Sequence, residues 1–287
     1  MQTILKSKTK QVKIDTEGAF TIIGEKINPT GRKKLAAALQ EGNMDYVREL
    51  AKKQVDAGAD ILDVNVGVPG IDDVALLPKV VKMLADEFDI PLCIDTPNPK
   101  ALAAAMTFAP GKVLVNTVNG EEASLNAVLP VVKEYNAAVI GLVMDEDGIP
   151  ADPQKRFALA GKIIERAAKL GIPIEDVVID PLVLTVGADS NAGKITLKTI
   201  ELVHKEFGVN INLGASNVSF GLPERDIINV AFLGLAISVG ASCAITDPVK
   251  YTQSLRAIDL LLGRDPYAGR YIKYFRAHPP EEKTVKP

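Results

Sequence analysis

Pro91-Leu-Cys-Ile-Asp-Thr-Pro-Asn-Pro99 is the stretch on which the fold is read. Leu92 to Ile94 is a short apolar run of the kind that forms a buried strand, and Asp95 follows it at once. Asn98-Pro99 then has the form of a helix start, with Asn as the cap and Pro at the first helical position. A strand that delivers a lone carboxylate and turns directly into a helix is how a βα barrel presents chemistry at its C-terminal face. The same grammar recurs along the chain at Asn65, Asn116, Asp180 and Asn217.

Working outward, short β-rich runs alternate with longer amphipathic segments. The expected strands are Thr21–Gly24, Asp60–Val64, Leu92–Ile94, Lys112–Val115, Ala137–Leu142, Val177–Ile179, Asn210–Leu213 and Cys243–Ile245. The first helix runs to about Ala57, in two pieces around Gly42-Asn43, with Gly58 behind it as a C-cap. Val74, Leu77, Val80, Val81 and Leu84 keep helical spacing. Asp152-Pro153, Pro223 and Asp247-Pro248 mark later helix starts, the last of these opening the final helix, and Thr196–Phe207 reads as a helix. Eight strand–helix units in order predict a single (β/α)8 TIM barrel, α/β in class, over residues 21–265. Residues 1–20 read as an N-terminal extension whose Gln11–Ile14 segment caps the barrel floor, and residues 266–287 as a C-terminal tail. A doubly wound open sheet would carry a glycine-rich phosphate turn after its first strand, whereas Gly24-Glu-Lys-Ile-Asn28 is not that fingerprint.

The chain has 287 residues, a net charge of −3, two cysteines and two histidines. That balance leaves no basic footprint for nucleic acid. Cys93 and Cys243 sit inside apolar runs and read as buried thiols of a reducing compartment. Two thiols and two histidines far apart argue against a dedicated zinc site, so no metal is assigned. The N-terminus lacks the apolar core of a signal peptide, and the longest apolar stretch, Ala231 to Ile245, is broken by Gly and Ser. A cytoplasmic protein with no membrane partner is expected.

Asp95, Asn116, Asp180 and Asn217 each end a strand or the loop just past it, and in a barrel such positions converge on one mouth. A carboxylate accepts two adjacent donors, as on an amidine or 2-amino-pyrimidinone edge, and an amide both donates and accepts. Together they suit a neutral, donor-rich heterocycle better than a phosphate. Taken singly, each fits a turn or cap equally well. Glu25 and Asn28 of the first loop, and Asp63 and Asn65 at the end of the second strand, are weaker candidates, the last two reading as loop-holding groups. Asp145, Glu146 and Asp147 read as a solvated turn, Thr246 and Asp247 as a helix cap, and His204 and His278 as surface residues. Neither histidine follows a strand, so no nucleophile–base pair suggests itself. That favours chemistry in which bound ligands react with each other.

The stretches IIGEKINPTG (22–31), ILDVNVG (61–67), CIDTPNP (93–99), LVNTVNG (114–120), VIDPLVL (178–184) and LGASNVSFGLPER (213–225) resemble the pterin-binding methyltransferases. These are the methyltetrahydrofolate:corrinoid-protein methyltransferases, the folate domain of cobalamin-dependent methionine synthase and, more distantly, dihydropteroate synthase. The resemblance covers roughly residues 20–265. It implies that Asp95, Asn116 and Asp180 hydrogen-bond the pterin ring of tetrahydrofolate or methyltetrahydrofolate, that Asn217 reaches the methyl-bearing nitrogen, and that Arg225 is a second folate contact. It implies as partners a separate corrinoid protein carrying cobalamin and a second copy of the chain in a homodimer. Transfer in either direction is implied, and overall resemblance leans to demethylation of methoxylated aromatics or methylamines over acetyl-CoA synthesis. A pterin-condensing synthase of the dihydropteroate type is the alternative, but Thr246-Asp-Pro248 stands where its basic Ser-x-Arg ending belongs. A folate-binding protein without catalysis is the third possibility. Lys26, where relatives often carry Arg, receives no role.

Overall fold

A computed structural model describes residues 1–279; the end of the expected tail, 280–287, lies outside the described residues. Two short strands come first, β1 (Gln2–Lys6) and β2 (Gln11–Asp15), paired antiparallel. The main body alternates β3 (Thr21–Ile27), α1 (Lys33–Gln40), α2 (Met44–Asp56), β4 (Ile61–Val64), α3 (Asp73–Glu87), β5 (Leu92–Asp95), α4 (Pro99–Met106) and β6 (Leu114–Asn119). It continues with α5 (Glu122–Glu134), β7 (Ala138–Leu142), α6 (Pro153–Lys169), β8 (Val177–Asp180), α7 (Ala192–Phe207), α8 (Arg225–Ser238), β9 (Cys243–Thr246), α9 (Pro248–Leu261) and α10 (Gly269–Ala277). No helix among the described residues is long and apolar enough to cross a membrane.

The local rules explain the helix starts. Asn98, Asp152 and Asp247 each accept a backbone N–H of the first turn, at 3.0, 2.9 and 3.1 Å, with Pro at the next position. Asn43 caps α2, so the first helix is indeed in two pieces. Three expectations need correction. The helix expected from Pro223 begins at Arg225, because Glu224 takes a left-handed backbone (φ 48°). The last helix is not α9 but α10, which packs on α9. His204 is half-buried, not a surface residue: a Cβ on Gly240 would stand 2.5 Å from its ring, so only glycine admits it.

Seven parallel strands form one curled sheet in the order β8-β7-β6-β5-β4-β3-β9. The segment expected as the seventh strand, Asn210–Leu213, lies between the sheet's two edges, where the isolated parallel bridges are Ile179 to Ile211 and Gly214 to Ile245. Its ladder is interrupted because the Ile211 N–H bonds the Ser242 hydroxyl at 2.9 Å instead of a carbonyl. Side chains alternate across the sheet as the pleat requires. Ile22, Leu62, Ile94, Val115, Val139 and Ile179 face the helices, while Ile23, Ile61, Cys93, Leu114, Ala138, Ile140, Val178 and Cys243 form an inner layer. Leu5, Val12 and Ile14 of the hairpin complete that layer from below, so β1 and β2 together close the floor. β1 was not expected, since its polar Gln2, Thr3 and Lys6 conceal the buried Leu5.

Asn210, fully buried, fastens the hairpin by donating from Nδ2 to Thr3 Oγ1 at 2.9 Å and to the Ile14 carbonyl at 3.0 Å. We predict that Asn210→Ala destabilises the protein by about 2 kcal/mol, because a buried carbonyl and hydroxyl lose their donor. Urea denaturation measures this; a loss below about 0.5 kcal/mol would show that the floor is held by apolar packing alone.

Candidate functional site

The register of the central strands sets the site. Asp95 of β5 lies opposite Asn116 of β6, and Asp63 of β4 lies opposite Cys93 one level below. Glu25, Asn28, Asp95, Asn116, Asn217 and Arg225, all expected from the sequence, line one open cleft of about 410 Å³ at the C-terminal ends of the strands. A second hollow of about 370 Å³ adjoins it through Asp95 and Asn116 and runs toward α5. Asn65 and Asp63 stand behind this wall. Asn65 donates to Asp95 Oδ2 at 2.9 Å, and Asn28 reaches the same oxygen at 3.4 Å. Among the described residues Asp95 Oδ1 has no hydrogen-bond partner. Asn116 donates its Nδ2 to Asp63 at 3.1 Å. That bond uses one N–H and leaves Asn116 its carbonyl and a second N–H, so two acceptors stand side by side on neighbouring strands with a donor beside them. This is the pattern that takes adjacent N–H groups of a heterocycle.

Asp180 differs from the expectation. It is buried, 6% exposed, and lies behind the lining of the cleft. Its Oδ1 accepts the Leu182 N–H at 2.9 Å, and its Oδ2 accepts Nδ2 of Asn212 at 2.7 Å. Asn212, fully buried, is a residue the sequence reading missed. It passes for a strand position, and the only signal is an asparagine where the alternation calls for an apolar inner residue.

Burial dominates the electrostatics. It pushes Asp95 up to about 6, with the Asn65 donor opposing, and Asp180 up to about 6, with Leu182, Asn212 and the Arg156 charge opposing. Asp63 is pushed well above the usual carboxylate range, first by burial and then by the charge of Asp95. The thiols of Cys93 and Cys243 are likewise pushed up by burial and lie unpaired in the inner layer, as expected.

Asn217 is exposed, on a short 3-10 turn, Ala215–Ser219. Its side chain makes no hydrogen bond among the described residues, while the turn around it is clamped. Ser216 donates to Glu25 at 2.8 Å, and Arg225 donates to the Ser216 carbonyl at 2.6 Å and to Ser219 Oγ at 3.1 Å. Arg225 thus reaches the cleft edge and holds the Asn217 turn with two of its N–H donors. A Cβ at Gly214 would stand 3.1 Å from Nδ2 of Asn217 and would push that amide aside. Lys26, given no role from the sequence, pairs with Asp247 and with Glu25. Asp247 therefore caps α9 and also ties β3 to the β9 end, whereas Thr246 is a buried strand residue and no cap. The acidic loop closes as a turn, with the Asp147 N–H on Asp145 and Glu146 accepting the first N–H of α5. His278 is exposed and stacks on Tyr274.

The raised Asp95 gives a stability prediction. A carboxyl whose folded pKa lies above its unfolded value stabilises the fold below about pH 4 and loses that contribution as pH rises through about 6. Asp95→Asn should therefore leave stability at pH 4 nearly unchanged and raise it at pH 8 by about 1–2 kcal/mol. Denaturation at the two pH values checks this; an equal effect at both would mean that Asp95 is not a strained anion.

The sequence model of a family described as pterin binding enzyme matches residues 24–247. A methylcorrinoid:tetrahydrofolate methyltransferase of Eubacterium limosum is 30% identical over 263 residues, 89% of this chain and 96% of that protein. Methionine synthase of Mycobacterium tuberculosis is 29% identical over 247 residues, which are 82% of this chain and 21% of that longer protein. Among solved structures, a Yersinia pestis dihydropteroate synthase with a pterin–sulfa conjugate superposes with a TM-score of 0.69 at 18% identity, covering 91% of this chain and 98% of that one. A Coxiella burnetii dihydropteroate synthase bound to pteroic acid gives 0.67 at 18% identity, with 91% and 99% covered. At those identities the structural likeness speaks for the fold. The sequence match spans most of the chain, and the chain belongs to the family of pterin-binding enzymes.

Proposed function

We propose that this enzyme moves a methyl group between N5 of methyltetrahydrofolate and the cobalt of a corrinoid held by a separate protein. The curled sheet with its bridging segment is read as a (β/α)8 barrel with a weakened seventh strand. The observation that carries the proposal is the pairing of two free acceptors, on Asp95 and Asn116, with the unengaged amide of Asn217 in one cleft. The name of the Eubacterium limosum relative supports the same chemistry, and the direction assigned is methylcorrinoid to tetrahydrofolate, as in demethylation. Cytoplasmic location and a homodimer belong to the same reading.

The chemistry follows from leaving-group strength. A tertiary amine leaves poorly unless its nitrogen is hydrogen-bonded as the C–N bond breaks. The electron pair of that bond returns to N5, while cobalt supplies the pair that forms the new bond to carbon. In the opposite direction, the one assigned here, the N5 lone pair attacks the methyl carbon, the Co–C bond breaks with its electron pair returning to cobalt, and the proton of N5 passes to water. An amide such as Asn217 has no proton of useful acidity to give. It stabilises the transition state by a hydrogen bond that strengthens as charge develops, in a turn already fixed by Glu25 and Arg225. Asp95, Asn116 and Asp180 hold the ring: the first two at the cleft wall, Asp180 from behind with Asn212.

Asn217→Ala should lower methyl transfer about 100-fold or more and change tetrahydrofolate affinity only slightly. Methyl transfer is read from the cobalamin spectrum with methylcobalamin and tetrahydrofolate. Equal losses in rate and affinity would place Asn217 among the binding groups alone. Wild type that binds tetrahydrofolate yet never demethylates cobalamin is a binding protein. Condensation of a pterin diphosphate with 4-aminobenzoate would move it to the synthase class. Tetrahydrofolate affinity should also fall as pH drops below about 6, where Asp95 and Asp180 take up protons and lose acceptor strength. A flat profile in calorimetry between pH 5 and pH 8 would remove both from the site.

A further inference from the structure

Arg156 is 1% exposed and heads the large side chains that the fold buries completely. It lies in the first turn of α6, on a helix whose other early residues face solvent. Among the described residues it makes no ion pair. Its donors go to carbonyls of two different loops instead. Nε donates to Pro150 at 2.7 Å, ahead of α6; Nη1 donates to Pro181 and to Leu182, each at 2.7 Å, beyond β8. Burying a guanidinium without a bonded carboxylate is expensive, so a favourable field must hold it there. The charge that supplies that field is Asp180.

The loop it grips is strained. Leu182 sits at φ 64°, a region that side-chain-bearing residues rarely adopt and that persists only where neighbours fix it. Here both sides are fixed. The Leu182 N–H bonds Asp180 Oδ1, and the Leu182 carbonyl accepts from Arg156 and from Thr196 Oγ1 at 3.1 Å. We propose that Arg156 is a positioning residue for Asp180: its fork fastens the Asp180–Leu182 turn to the loop ahead of α6, and its charge stands beside the carboxylate. The groups that face Asp180 are Arg156 from α6, the Cys243 thiol from β9, the neutral Asn212 amide, and the N–H groups of Leu182 and Gly214. Arg156 is the cation of this set. That Asp180 serves a pterin rests on the function proposed above; the clamp itself does not.

Carboxyl-carbon NMR titration of ligand-free protein separates the two. Arg156→Met should raise the Asp180 midpoint by about one pH unit, the usual effect of losing a close opposite charge. Arg156→Lys keeps the charge and should leave the midpoint near that of wild type. Thr196→Val removes one bond to the Leu182 carbonyl without touching any charge and should move the midpoint less than Arg156→Met does. An unmoved midpoint in Arg156→Met, or an equal move in Thr196→Val, overturns the proposal. Should Arg156→Met fail to fold, Arg156→Lys decides through its lost fork: faster hydrogen exchange at the Leu182 amide of ligand-free protein supports the clamp, and unchanged exchange overturns it. If the midpoint moves as expected while wild type binds no tetrahydrofolate, Arg156 keeps its role and the pterin reading fails.

Discussion

The structure depends on how it keeps carboxylates at the strand ends out of water. Asp63, Asp95 and Asp180 lie where the sheet gives way to loops, and burial weakens the ionised form of each. Amide donors from neighbouring strands offset part of that penalty: Asn65 and Asn28 for Asp95, Asn116 for Asp63, Asn212 for Asp180. These bonds leave each carboxylate little freedom to turn, and they exist only in one strand register. A slip of one residue in β5 would turn Asp95 toward the helices and Ile94 into the inner layer. The apolar alternation that packs the sheet and the polar pairing at its rim therefore enforce each other.

Against these buried groups stands an exposed one. Asn217 is held only through its backbone, by Glu25 through Ser216 and by Arg225 through Ser216 and Ser219. The rim is thus divided into anchors that are desolvated and fixed, and an amide with unspent hydrogen-bonding capacity. Of the charged side chains at the rim, Lys26 joins β3 to the start of α9, far along the chain, and Arg225 fastens the neighbouring Ser216–Ser219 turn.

What was legible in the sequence was what is decided locally. Asn98-Pro99, Asp152-Pro153 and Asp247-Pro248 carry their cap in their own residues, and the runs before Asp95 and Asp180 carry their strand character. Asn212 and Arg156 could not be read this way. The first hides in a strand-like run and the second on an amphipathic helix, and each gains its role from partners some 25 to 32 residues away. The same holds for β1, whose single deeply buried leucine gains meaning only against the inner layer, and for His204, whose setting is Gly240, 36 positions on beyond the end of α8. The interrupted ladder at Ile211 depends on one serine hydroxyl 31 positions on.

The hairpin that closes the floor has a consequence for the order of assembly. Thr3 meets Asn210 across 207 residues of chain and the Glu175 carbonyl across 172. On the ribosome, Thr3 stays without its Asn210 partner until about three-quarters of the polypeptide has emerged. Contacts of such long separation form slowly, because the loop must close before it is rewarded. Until the strands of the inner layer have followed, Leu5, Val12 and Ile14 are bare apolar side chains on a two-stranded ribbon, the kind of surface that chaperones of nascent chains engage.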